Sequence, residues 1–138
     1  MFERILIALL YIVLGAVAAF HKLNGSFIPK WFAEKFEPTF LNAFPGGLHL
    51  AFGTIIAFEI LIPLSFIISL FRKEFQENKN LSFTTLGFRM SLILFLILFF
   101  GSFLTQDYEN GALDFIYFVT TIFLMRFVST PVHKQIQG

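Results

Sequence analysis

Glu59 stands near the middle of an uninterrupted apolar run, residues 48–71. It would be about 18 Å from either end if the run is helical at about 1.5 Å per residue. An acid at that depth is costly unless it is paired or protonated, so its side chain is expected to face away from lipid. A carboxyl of this kind is a candidate proton donor or acceptor. Pro63 follows one helical turn later. It has no N–H, so the Glu59 carbonyl loses its usual helix donor, and carboxyl and carbonyl together could hold a proton, a cation or a polar ligand group. The alternative is structural: a kinked helix in which protonated Glu59 bonds a neighbour such as Tyr11, Thr120 or Thr121.

His21 closes the first apolar run and His49 opens the second, which sets both imidazoles at similar depth on antiparallel helices. Lys22, Asn24, Gln106, Asp107 and Asp114 fall near the same level. A polar mouth of that kind suits a headgroup, an anion or a quinone ring. Two histidines without a spaced ligand motif are explained by their interfacial position, so no metal is expected. Arg89 lies about one turn inside the third apolar run. Its side chain either snorkels back to the headgroups or turns inward to pair with Glu59. The absence of cysteine excludes disulfides, thiol redox chemistry, thioether-linked haem and Cys-ligated iron–sulfur clusters within this chain. There is no phosphate-binding loop, no HExxH and no well-spaced Ser-His-Asp set.

These groups must be positioned by something other than a water-soluble core. The chain is 57% hydrophobic and 14% charged, with mean hydropathy +0.77, whereas soluble domains carry about 25% charged residues. Its length fits one domain over residues 1–138. A net charge of +1 from singly scattered Lys and Arg gives no clustered basic face for nucleic acid. The abundant Phe reads as lipid-facing and inter-helix packing.

Four apolar runs, residues 4–20, 48–71, 86–104 and 112–128, reach or approach the length of a membrane span. Lipid offers no partner for an open peptide group, so each run should be helical. The fold class is therefore all-α, an integral membrane four-helix bundle. Its connections are a long loop 21–47, a charged link 72–85 and a tight turn 106–111 ending in Asn110-Gly111. Arg4, Arg72, Lys73, Lys79, Arg89, Arg126 and Lys134 fall on one side, against Lys22, Lys30 and Lys35 on the other, which puts both termini in the cytoplasm. Arg4, an apolar stretch and Ala16-Val17-Ala18 imitate a secretory signal, but Glu3 offsets Arg4, and an uncleaved first helix is expected. In the long outer loop, Pro29 and Pro38 bracket a short interfacial helix whose Trp31, Phe32 and Phe36 face lipid or the bundle mouth. It serves either as a lid or as a simple surface anchor. Pro45-Gly46-Gly47 marks the turn into the second span.

Arg4, Leu14-Gly15, Lys22-Leu23-Asn24-Gly25, the Phe-rich outer loop, Phe44-Pro45 and Glu59-Ile60-Leu61 occur in that order. In this the chain resembles the DoxX-like family of small four-helix membrane proteins over nearly its whole length. Lys22, Leu23 and Glu59 are the positions that match the family pattern, which has Gly where this chain has Ala19 and does not include His21. The resemblance implies a group linked to membrane oxidoreductase complexes, including the small subunit of thiosulfate:quinone oxidoreductase, and a bacterial inner membrane.

The leading expectation is then a membrane subunit or accessory of a redox complex, with an intramembrane pocket for a quinone or lipid-like ligand. Glu59 would exchange a proton. His21, Lys22, His49, Pro63, Arg89, Asp107 and Tyr11 would bind the ligand, its tail among phenylalanines. The alternatives are a carrier or binding protein for a small solute, proton or lipid, which would need a homo-oligomer because no inverted repeat is visible, and a structural scaffold.

Overall fold

The computed structural model describes residues 1–24 and 28–130, and among them every regular element is helical. Helices α1 (Phe2–Leu23), α3 (Gly47–Phe71), α4 (Ser82–Leu104) and α5 (Tyr108–Ser129) are each long and apolar enough to cross a bilayer. Between the first two lie α2 (Lys30–Phe36) and a 3₁₀ turn, Phe40–Ala43. The fold is thus an all-α membrane bundle with one short helix in its longest loop. Gly25 of the family pattern and Lys134 of the charge count lie outside the described residues.

Helix spacing decides which way Glu59 looks. The buried positions of α3 include Phe52, Ile55, Ile56, Glu59, Ile62, Phe66 and Ser69, three or four apart and hence on one face. Glu59 is central in that stripe. From α1 the buried positions are Ala8, Tyr11, Gly15 and Ala19, mostly small residues that let backbones approach closely in lipid. Helix α1 packs on α3, α3 on α4 and α4 on α5. Neighbours are antiparallel: Gly15 lies against Glu59 and Pro63, Ser69 Oγ is 2.6 Å from Thr84 Oγ1, and Ser102 donates to Asp114 at 3.0 Å. No interface of comparable size joins α1 to α5. That gap is crossed by Tyr11, whose hydroxyl sits 2.7 Å from Thr121 Oγ1. Thr121 already donates to the Tyr117 carbonyl, so Tyr11 is the donor. The Tyr11 ring stacks on Phe66 and meets Phe88 edge-on, centroids 5.2 and 5.5 Å away.

The helix ends are tighter than the sequence suggests. After α4, Gln106 takes a left-handed conformation, φ 58°. The amides of Gln106 and Asp107 then return to the carbonyls of Phe103 and Ser102, the two bonds of a Schellman motif. Asp107 immediately caps α5 by accepting from the Asn110 amide. The turn expected over residues 106–111 therefore ends at Asp107, and Asn110-Gly111 belongs to the first turn of α5. Lys73 repeats the motif after α3 at φ 56°, its own amide and that of Glu74 bonding Leu70 and Ser69. The next side chain, Glu74, is only 1% exposed and accepts from the amides of Phe83 and Thr84 and from Thr84 Oγ1, at 3.1, 2.8 and 2.9 Å. It caps α4 from outside the helix, which is why α4 starts at Ser82, inside the expected 72–85 link. Phe44, Pro45, Gly46 and Gly47 form the expected turn into α3, with Gly46 at φ 71° and the Gly47 amide bonded to the Phe44 carbonyl, a type II arrangement.

Candidate functional site

Glu59 is 4% exposed, and its Oε1 accepts a hydrogen bond from Lys22 Nζ at 2.6 Å. Two features of helix geometry create this pair. First, the register is offset: Gly15 sits beside Glu59 and Pro63, so Lys22, seven residues later, lies only about 7 Å farther along the bundle than Glu59. Glu59 is central in α3 but close to the α2 end of α1. Second, side chains lean toward the N-terminus of their own helix. Lys22 therefore leans into the bundle and Glu59 leans toward the α2 end, and the two meet. The pair joins α1 to α3 through a short bond between two side chains that are both largely out of reach of water. The second carboxylate oxygen, Oε2, is buried and has no hydrogen-bond partner among the described residues.

Pro63 contributes through the backbone. It leaves the Glu59 carbonyl without a helix donor, and that carbonyl faces Gly15, where an added Cβ would stand 3.0 Å from the oxygen and 2.7 Å from Pro63 Cδ. Only glycine lets α1 approach so closely. The residue therefore fixes the height at which Lys22 meets Glu59.

Two cavities flank the pair. One, of about 240 Å³, is lined by Tyr11, Glu59, Ser91, Phe95, Asp114 and Tyr117 among others. The second, of about 260 Å³, is lined by Lys22, Trp31, Phe32, Lys35, Phe52 and Ser102 with further apolar groups. Leu98 lines both. Two polar links cross between them: Lys22 to Glu59, and Ser102 to Asp114. Each volume falls slightly short of the roughly 300 Å³ at which small-molecule sites begin, and both are mostly apolar with a few polar groups. A third hollow, of about 290 Å³, lies between α1 and α5 and shares Tyr11, Leu14, Phe95 and Tyr117 with the first. This is the side where α1 and α5 are not packed together.

Helix α2 covers the second cavity. Phe32 and Phe36, one turn apart, are buried, with the Phe32 ring 4.9 Å from Phe52, while Trp31 remains exposed. For α2, the buried Phe32 and Phe36 suit a lid, and its exposed Trp31 suits a surface anchor as well. Lys35 fastens it to the turn between α4 and α5 by donating to Asp107 Oδ2 at 2.7 Å. The Lys35 ammonium, followed by the Asn110 side chain, holds the Asp107 carboxyl down to about 2.

Of the residues singled out in the sequence, Glu59, Lys22, Tyr11 and Pro63 come together, and Asp107 lies at the lid. The others do not join them. His21 and His49 are exposed and line neither cavity beside Glu59. Arg89 is exposed, and the partner of Glu59 is Lys22, not Arg89, Thr120, Thr121 or Tyr11, whose hydroxyl bonds Thr121 instead. The described residues contain no group of three or more His, Asp or Glu able to hold a metal ion. Lys35 and Ser102 enter the site without having been proposed as ligand groups, and Asp114, expected as part of the polar outer mouth, lines the cavity beside Glu59. A sequence signal existed for Asp114, a second acid within an apolar run, about 9 Å from the start of its helix. Comparison with known proteins finds no matching family model, no matching curated protein and no matching solved structure.

Proposed function

We propose that the chain is a DoxX-like membrane subunit or accessory of an oxidoreductase complex that binds a quinone or lipid-like amphiphile inside the bundle. Lys22 and Glu59 form the polar end of the site, and Glu59 gives or takes a proton there. The observation that carries this reading is the Lys22–Glu59 pair set between two largely apolar cavities, with one carboxylate oxygen left unanswered. A buried ion pair with such surroundings contributes little net stability compared with apolar packing, so its presence favours a ligand over a purely structural role. The hollow between α1 and α5 gives the tail a route to the bilayer. The α2 lid and Lys35–Asp107 close the opposite end. By the distribution of Lys and Arg, α2 lies on the outer face of the membrane and both termini are cytoplasmic, and the DoxX-like resemblance implies a bacterial inner membrane.

Native mass spectrometry of gently purified protein tests this reading. Wild-type protein should retain a quinone or lipid-like molecule, and Lys22→Met and Glu59→Gln should lose it while remaining folded. Bare wild-type protein after extraction in mild detergent, with helicity intact, would overturn it.

A further inference from the structure

Hydrogen bonding in the cleft beside Glu59 is lopsided. Glu59 Oε2 is a buried acceptor without a donor, and Asp114 supplies a second carboxylate, which receives one bond from Ser102. Two of the donors nearby are already committed. Ser91 Oγ donates to the Gly87 carbonyl at 2.9 Å, and Tyr11 donates to Thr121 at 2.7 Å. Lys22 lines the other cavity and not this one, with one of its protons given to Glu59. Tyr117 is the further hydroxyl on the cleft wall. A carbonyl head, which can only accept, would leave Oε2 unsatisfied, whereas a hydroxyl or N–H head supplies what is missing.

We propose that this cleft selects an amphiphile whose head donates hydrogen bonds, such as a hydroquinone or an alkyl alcohol, over the corresponding quinone. The proposal rests on the binding reading above and specifies the ligand's chemistry. Glu59 Oε2 receives the principal hydroxyl, Asp114 offers a second acceptor, and the apolar tail extends between α1 and α5. The selectivity comes from a buried oxygen that no protein donor reaches, so a head lacking the donor leaves it unsatisfied.

The full-length wild-type protein in nanodiscs, kept anaerobic, is titrated with four probes of equal tail length: a decyl-hydroquinone, its quinone, its dimethyl ether and a decyl glycerol ether. Binding is read by equilibrium dialysis. The hydroquinone should bind about tenfold or more tightly than the quinone and the dimethyl ether. If the glycerol ether competes equally, the natural ligand is a lipid hydroxyl; if it does not, the ligand is a quinol, and either result supports a donor head. Equal binding of hydroquinone, quinone and ether, or tighter binding of the quinone, overturns the donor rule and leaves the ligand site standing. Failure of every probe to bind overturns both. Because the comparison is made on wild-type protein, it does not depend on a variant folding.

Discussion

Gly15 and Pro63 touch so closely that a methyl group on Gly15 would lie 2.7 Å from Pro63 Cδ. Neither the proline ring nor the Glu59 carbonyl beside it can swing aside as a flexible side chain would. Gly15→Ala should therefore force α1 from α3 and destabilise the bundle by about 1–3 kcal/mol. Ala16→Leu, on the neighbouring exposed position, should change stability little. Thermal unfolding in detergent micelles, followed by circular dichroism, checks both.

Glu74 satisfies two amides in the first turn of α4 and is almost wholly buried. Glu74→Ala leaves the buried Thr84 amide and the half-buried Phe83 amide without a partner, and should cost about 1–3 kcal/mol. Amide hydrogen exchange should rise first at Phe83 and Thr84. Unchanged protection there would mean that another group caps the helix.

Asp107 fastens the lid, and its acid sensitivity has a definite sign. Its carboxyl is depressed from an ordinary 3.8 to about 2, chiefly by the bond from Lys35. The stabilisation is therefore complete above 3.8 and is lost as pH falls through about 2. The chain's single tryptophan, Trp31, sits on α2 and reports the lid. Its emission should change over that interval in wild-type protein. In Asp107→Asn the lid should already be loosened at neutral pH, and this transition should be absent.

The spans were legible in the sequence because each is a long apolar run, and the inward face of Glu59 followed from the cost of an acid in lipid. The helix starts were not. Glu74 caps α4 from nine residues before Phe83, and both Schellman turns place Lys73 or Gln106 where glycine is the usual signal. The partner of Glu59 was missed for a different reason. Depth counted from the ends of each run puts Lys22 at the surface and Glu59 at the centre. The contact of Gly15 with Pro63 offsets the two helices and brings these side chains together. Counting from the ends also grouped His21 with His49, yet both are exposed and away from the cavities.

The bond between Lys22 and Glu59 is best tested by a double-mutant cycle on unfolding free energy in micelles, using Lys22→Met, Glu59→Gln and the two together. Lys22→Met leaves the buried Glu59 carboxyl without its donor, and Glu59→Gln leaves the Lys22 ammonium facing a neutral amide, so both singles should destabilise. The double variant should then be more stable than their sum by about 1–3 kcal/mol. Strictly additive effects would mean that the two residues do not interact in the folded protein, and the ligand site built on them would go with the pair.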